Sequence, residues 1–152
     1  MAITSYKVQT TEDTQVFINF EQGKAATEIV TEILDVTEVT FPEASRELKK
    51  KGTVAGNEYT APGKLTNSDI DVKFLLNSDT TTIYNSFRAG IKDVKKGIVS
   101  LRLLAPWGET FVGNYAIAKV SVPAATENHE IVEVTISLSP SGEISQTQTP
   151  SK

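Results

Sequence analysis

The chain has 152 residues, of which 39% are hydrophobic and 22% are charged, and its formal net charge is −4. It has no cysteine, which excludes disulfides and thiolate metal sites, and one histidine, which excludes three-histidine zinc sites. The negative charge argues against DNA binding by phosphate neutralisation, and no apolar run approaches the roughly 18 residues of a membrane span. These properties are typical of one globular domain in a reducing compartment.

The first forty residues predict an arm followed by short strands. Residues 1–15 are polar and rich in threonine, so we expect a flexible arm, and they lack the basic and apolar regions of a secretory signal. Apolar residues alternate over 16–20, which predicts a strand. In the next apolar stretch, residues 28–41, the spacing of some apolar residues fits a helix, whereas the high content of β-branched residues favours a strand. We predict a strand over 33–41 and leave 28–32 open.

The hydrophobic pattern lapses over residues 42–64, where proline and glycine recur. Arg46 and Lys49–Lys51 concentrate positive charge there. Connections in compact domains have a median length of about 4–6 residues, and much longer ones are usually functional or disordered. The sequence therefore predicts a long loop, with short strands near 45–50 and 57–60 as an open alternative. The basic run is either a solvated loop tip or an interface for acidic partners.

The stretch 77–94 carries the helix signal. Three residues can cap its N-terminus: Asn77, Ser78 and Asp79. Four apolar positions form one stripe: Ile83, Phe87, Ile91 and Val94. Gly90 is a plausible stop. Because the threonines of the first turn are weak helix formers, we expect a helix over about 78–90 that is docked on an apolar surface.

Strands surround this helix. Apolar residues alternate over 69–76, 98–105 and 131–139, and a tight turn follows the second of these strands. The return strand changes its apolar phase, which predicts a bulge near Gly113 to Ala118. The last residues, 140–152, contain one aliphatic side chain, so we expect a disordered tail.

The order of these elements predicts a mainly β fold. It is an antiparallel β-sandwich or barrel of two sheets, flanked by one short α-helix (about 78–90) and carrying a long loop (about 42–64). Residues 1–15 form the arm, 16–139 the single domain and 140–152 the tail.

No motif of catalysis or cofactor binding stands out. His129 has no nucleophile context, and nucleotide-binding signatures are absent. Asp69 and Asp71 share a strand face, which fits a cation site or a solvated face. Trp107 either anchors a ligand or packs on its turn. We therefore expect no catalytic residue, no cofactor and no metal.

The order of four stretches resembles the major tail tube proteins of long-tailed bacteriophages, especially the non-contractile, siphovirus type. These stretches are EYTAPGKLTNSDIDVKFLL (58–76), NSDTTTIYNSFRAGIK (77–92), IVSLRLLAPWGETFVGNYAIAKVSVP (98–123) and HEIVEVTISLSPSGEI (129–144). The resemblance covers about residues 57–144 and extends to the first half only through strand order.

The resemblance implies a structural virion protein, not an enzyme, that self-assembles into hexameric rings. The rings stack into a tail tube around a tape measure protein, and double-stranded DNA later passes through the lumen without specific binding. Other implied partners are the tail terminator and the distal tail or baseplate proteins. The resemblance also implies that the protein is synthesised in the host cytoplasm and resides in the virion tail.

Two groups of residues are candidates for these roles. The long loop is the candidate contact between rings or subunits, through Glu43, Arg46, Glu47, Lys49, Lys50, Lys51 and Tyr59. The candidate lumen-facing residues are Asp69, Asp71 and Glu133, since the lumen is acidic in this family. Two alternatives remain: the tube of a contractile tail or secretion apparatus, and an adhesion or carbohydrate-binding β-sandwich.

Overall fold

A computed structural model describes residues 13–125, 127 and 131–148. Within these residues the fold is mainly β, with two antiparallel sheets, ten strands and one α-helix. The predicted fold class is therefore confirmed, in its sandwich form and without a closed barrel. Most of the predicted N-terminal arm, His129 and the last four residues lie outside the described residues.

The strands are β1 Gln15–Asn19, β2 Thr31–Glu32, β3 Val36–Val39, β4 Ala44–Gly52, β5 Glu58–Asn67, β6 Ile70–Leu75, β7 Ile98–Leu104, β8 Glu109–Ser121, β9 Glu133–Pro140 and β10 Ser145–Gln148. The helix α1 is Thr81–Lys92, and a short 3-10 turn is Ala26–Glu28. The large sheet has the order β2-β1-β7-β8-β9-β6-β3, with β10 also paired to β8. Strands β4 and β5 form a separate two-stranded sheet.

Strand β8 joins the two halves of the large sheet. Its first part pairs with β7 and β10, and its second part pairs with β9. The register against β9 shifts between Ile117 and Lys119, which confirms the bulge predicted from the phase change. Because of the shift, Ile117 and Val120 both pack against the core, while Lys119 is exposed.

Period-2 alternation places one face of the large sheet in the core. The fully buried side chains come from most strands of the large sheet and from the helix, and the largest include Tyr115, Phe74, Phe87, Ile18, Leu101 and Leu138. The opposite faces of the same strands carry polar and charged residues. This two-sided pattern is the physical basis of the antiparallel architecture.

The strand predicted over 33–41 is confirmed only at Val36–Val39, which is β3, because the chain before β3 crosses from one edge of the sheet to the other. β2 lies at one edge and β3 at the other. Ile33 turns into the core and donates its N–H to the carbonyl of Val16 at 2.8 Å. Asp35 then takes a positive φ of 53°, and its carbonyl accepts the N–H of Leu75. The crossing breaks the strand in two.

Helix α1 lies three residues later than predicted at its start and two residues later at its end. Asn77 stabilises the turn before it, since its Oδ1 accepts the N–H groups of Asp79 and Thr80. Gly90 is a buried residue within the helix, and a Cβ there would lie 3.0 Å from the Cδ1 of Ile117. The close approach to β8 explains the glycine.

The apolar stripe of the helix is shorter than the sequence indicates. Ile83 and Phe87 are buried, and Phe87 packs edge-to-face on Phe20 at 5.1 Å. Ile91, in the last turn of the helix, and Val94, beyond its end at Lys92, are both exposed.

Two segments predicted to be irregular are ordered. The stretch 42–64 is mostly the hairpin of β4 and β5, which extends the two short strands left open above. Residues 145–148, within the predicted disordered tail, pair with β8. Ile144 anchors this last strand, since its Cδ1 occupies the space that a Cβ on Gly113 would need.

Candidate interaction surfaces

The hairpin, Ala44–Asn67, has no buried residue. All of its side chains are exposed except Gly63 and Asn67, which are half-buried. It carries five basic and two acidic residues, whereas the chain as a whole is acidic. A two-stranded hairpin is at best marginally stable alone in water. An exposed, basic hairpin of this length is therefore typical of an element that is stabilised by a partner.

A β-bulge divides the hairpin. Arg46 is opposite Leu65 and Leu48 is opposite Pro62, so β5 has one more residue than β4 between these pairs. Gly63 occupies the bulge, where a Cβ would lie 2.8 Å from the carbonyl oxygen of Glu47. The guanidinium of Arg46 donates to the carbonyl of Gly63 at 2.9 Å. The bulge thus depends on a glycine and bends the hairpin.

Exposed apolar side chains lie among the basic ones. Leu48 is 60% exposed, Tyr59 64% and Leu65 47%. Lys51 is opposite Tyr59, so an aromatic ring and an ammonium group lie side by side on one face of the hairpin. Apolar groups among cations indicate a surface for an acidic partner that also has apolar patches.

The structure brings together the residues predicted for the loop. Arg46, Glu47 and the lysines 49–51 lie on β4 and Tyr59 lies on β5. Glu43 lies at the base, where its N–H donates to the Oγ of Ser68 and its carbonyl accepts the N–H of Ser68. What the sequence missed was the regular pairing of β4 with β5, because β4 is charged on both faces and gives no alternating signal.

An aromatic cluster packs beside the base of the hairpin. Phe41 lies 5.5 Å from the ring of Trp107 and 5.9 Å from that of Phe111. Trp107 is half-buried, so it packs on its own turn and on Phe41. The cluster ties the segment leading into β4 to the β7–β8 turn.

The three candidate lumen residues lie on the outward side of β6 and β9. Asp71 alternates with the buried Ile70 and Val72, and the Oδ1 of Asp69 accepts the hydroxyl of Ser139 at 2.8 Å. Glu133 accepts a hydrogen bond from the hydroxyl of Thr37. We refer to this polar side as the β6–β9 face.

One cation of the β6–β9 face is already neutralised. The ammonium of Lys73 lies 3.0 Å from a carboxylate oxygen of Glu38. That hydrogen bond, together with the charge of Glu38, raises the pKa of Lys73 above its ordinary value. Asp69, Asp71 and Glu133 have no ion-pair partner among the described residues. The free charge of this face is therefore negative.

The described residues contain no cluster of three or more His, Asp or Glu side chains that could hold a metal ion. Nor does this part of the chain include a helix long and apolar enough to cross a membrane. The reading of Asp69 and Asp71 as a cation site finds no third ligand among these residues.

No protein-family model matches the chain, and no curated protein matches it in sequence. Solved structures do match. The sheath/tube terminator of an extracellular contractile injection system (PVC) superposes with a TM-score of 0.68 at 14% identity, covering 95% of this chain and 99% of that one.

Two further matches come from other tails. The tail of an empty gene transfer agent particle gives a TM-score of 0.65 at 10% identity, over 92% of this chain and 99% of that chain. The SPP1 tail tube gives 0.56 at 11% identity, over 93% and 80%. At these identities the comparison shows a shared fold. The fold occurs in contractile systems as well, so it does not single out the siphovirus type.

Proposed function

We propose that this chain is a tail-tube subunit that assembles into stacked hexameric rings around a channel for DNA. The observation that carries the proposal is the match in fold, over nearly the full length of both chains, to components of tails and injection systems. The gene transfer agent tail was refined with C6 symmetry, which supports six subunits per ring.

The hairpin is the contact between rings or subunits in this proposal. It is exposed, basic and interspersed with Leu48, Tyr59 and Leu65, so docking on an acidic neighbour would bury apolar area and satisfy the lysines. A second copy of this acidic chain supplies such a surface.

The β6–β9 face lines the channel in this proposal. The unpaired carboxylates of Asp69, Asp71 and Glu133 would repel the phosphates of DNA and keep it from binding the wall. Reversing charge on this face tests the assignment. We expect tubes of Asp71→Lys to retain DNA fragments at low salt, whereas tubes of Glu143→Lys, an exposed carboxylate outside the hairpin and the β6–β9 face, release them as the unmodified tube does. Equal release from all three tubes would place another face in the lumen.

The remaining partners follow from this role. A tube subunit contacts a tape measure protein in its lumen, a terminator at one end and distal tail or baseplate proteins at the other, and it resides in the virion tail after synthesis in the host cytoplasm. The role is structural and requires no catalysis.

Replacement of the hairpin tests the proposal. Ala44 and Asn67 are opposite each other, so a Gly-Asn-Gly linker can replace residues 45–66 without separating the flanking strands. We expect a folded monomer, because the hairpin contributes nothing to the buried core, and a loss of tubes in sedimentation and electron microscopy. Tubes formed by this variant would remove the hairpin from the assembly mechanism.

A second candidate role is that of a tube terminator. The PVC match is a sheath/tube terminator, and another structure with this fold, at a TM-score of 0.67, is the tube-terminating cap of the anti-feeding prophage. A terminator would form single rings that bind a tube end, whereas a tube subunit polymerises without limit. The length of the particles in electron micrographs separates these roles.

A further inference from the structure

An open groove lies between the end of β1 and helix α1. Its volume is about 500 Å³, its apolar wall includes Phe20, Ala89 and Gly90, and its charged lining carries Lys95, Lys96 and Glu21, whose carboxylate is paired with Lys24. Phe20 is fixed there by its edge-to-face contact with Phe87, so the groove is preformed. We call it the helix-end groove.

The helix-end groove combines free cations with an apolar wall. Lys95 and Lys96 lie beside Phe20 and Ala89 in its lining. No carboxylate of a described residue lies within ion-pair distance of Lys95 or Lys96. An apolar wall beside unpaired lysines fits an occupant that is both acidic and aliphatic.

One segment of this chain has that chemistry. Between Ala25 and Ser45 the sequence has five acidic residues and no basic one. Within it, residues 28–38, which we call the acidic segment, expose Val30 by 66% and Leu34 by 44%. Glu32 lies between these two aliphatic residues and has no ion-pair partner among the described residues.

The acidic segment is held in its own subunit so that it cannot enter its own groove. Ile29 and Ile33 are buried, and Thr31 pairs with Ile18 of β1. None of its residues lines the helix-end groove. A groove of this kind that receives the exposed side chains therefore belongs to a different molecule.

We propose that the helix-end groove of one copy receives the acidic segment of a second copy, with Val30 and Leu34 against Phe20 and Ala89 and with Glu32 near Lys95 and Lys96. The inference rests on the proposed self-assembly, to which it adds the residues of a second contact, separate from the hairpin. Because the two surfaces differ, the contact is heterologous and propagates from subunit to subunit until a ring closes.

Cysteine cross-linking tests the contact, and because the chain has no native cysteine, only the introduced thiols can form disulfides. In Val30→Cys/Ala89→Cys, one thiol lies on the acidic segment and the other in the groove. We expect oxidation to give a ladder of covalent multimers that collapses on reduction. The control variant Val30→Cys/Thr60→Cys carries its second thiol on the hairpin and should give no ladder.

Charge reversal is a second test of the proposed contact. Lys96→Glu should weaken self-association by about tenfold or more, and adding Glu32→Lys should restore it, a recovery that a misfolded variant would not show. A ladder from the hairpin pair alone would overturn this inference and leave the proposed function standing. Absence of any multimer, in both pairs and in the unmodified chain, would overturn the proposed function as well.

Discussion

Gly63 lies where the paired strands of the hairpin change register, and its missing side chain makes the bulge sterically feasible. A Cβ at Gly63 would approach the carbonyl oxygen of Glu47 to 2.8 Å, whereas a Cβ at Gly52 would lie 3.9 Å from its nearest neighbour. Neither residue has a positive φ, so the two sites differ in space and not in backbone conformation. They form a matched pair for mutation.

We expect Gly63→Ala to disrupt pairing in the hairpin and to impair assembly, because the backbone of Glu47 must shift. Gly52→Ala should leave both unchanged. Cross-strand nuclear Overhauser effects between β4 and β5 in the monomer measure the pairing, and sedimentation measures the assembly. Neither variant should alter the thermal midpoint of the core by more than a few degrees, since the hairpin lies outside it. Equal behaviour of the two variants would show that the bulge has no role.

Tyr115 brings a polar atom into the core without a partner. Its ring is fully buried, and among the described residues its hydroxyl has no hydrogen-bond partner. An unsatisfied buried hydroxyl costs about 1–3 kcal/mol. We expect Tyr115→Phe to raise the free energy of unfolding by about 1 kcal/mol in urea titrations. A loss of stability would reveal a partner, such as a bound water molecule.

The same residue predicts a pH dependence. Burial raises the pKa of Tyr115 to about 12 from an ordinary value of 10.0. Below pH 10 the contribution of this hydroxyl to the free energy of unfolding is independent of pH. As the pH rises from 10 toward 12 the free energy of unfolding falls, because the unfolded chain releases the tyrosine proton at a lower pH than the folded chain does. In this window the free energy of unfolding should fall by up to about 1.4 kcal/mol per pH unit more steeply in the unmodified protein than in Tyr115→Phe. Parallel curves would contradict this.

Helix α1 is stabilised by docking more than by its own sequence. Phe87 is 1% exposed and packs on Phe20, whereas Ile91, one turn later, is 40% exposed. Phe87→Ala should cost about 3–5 kcal/mol of unfolding free energy, because it leaves a cavity. Ile91→Ala should cost less than about 1 kcal/mol, as for exposed positions. Similar losses would mean that Ile91 packs in the folded monomer.

The hairpin should behave differently in the free subunit and in the tube. Its amides have no protection from burial in the monomer, so we expect fast exchange over residues 44–67 in the monomer and slow exchange in the assembled tube. The control region is β9, which is central to the large sheet and should be protected in both states. Equal exchange of the hairpin in both states would contradict its role as a contact.

The sequence predicted those elements whose burial follows a simple period. β6, β7, β9 and the bulge of β8 came from alternation, because each strand has one buried face. The break at Ile33 to Asp35 was missed, since it depends on the distance between two sheet edges. The hairpin stayed an open alternative to a loop because neither of its faces is buried, and the last strand was missed because its residues are polar and exposed.

The sequence identified the charged candidate residues more readily than it identified the surfaces that they form. Sequence identified the basic run at 49–51 and the carboxylates of β6 and β9, because charge is read directly. It did not identify the helix-end groove, because the groove forms between the end of β1 and helix α1, which are far apart in the sequence. Nor did it show that Ile91 and Val94 are exposed, since both fit the pattern of a core stripe.

Charge is segregated along the chain in a way that a monomer does not require. Every charged residue within 25–45 is acidic, whereas basic residues outnumber acidic ones in the hairpin and at the end of helix α1, residues 92–96. The described ion pairs join Lys24 to Glu21 and Glu28, and Lys73 to Glu38, and leave both basic groups unpaired. In the proposed assembly, identical copies would pair these surfaces without any other partner. We expect polymerisation to weaken as salt rises, which light scattering between low and high ionic strength can measure.

Cryo-electron microscopy of the purified protein at increasing concentration tests the self-assembly most directly. The proposal predicts hollow tubes of stacked rings with sixfold symmetry, in which the hairpin of each copy contacts a neighbouring copy and the β6–β9 face lines the channel. Monomers that remain dispersed at every concentration, or particles without a central channel, would contradict it.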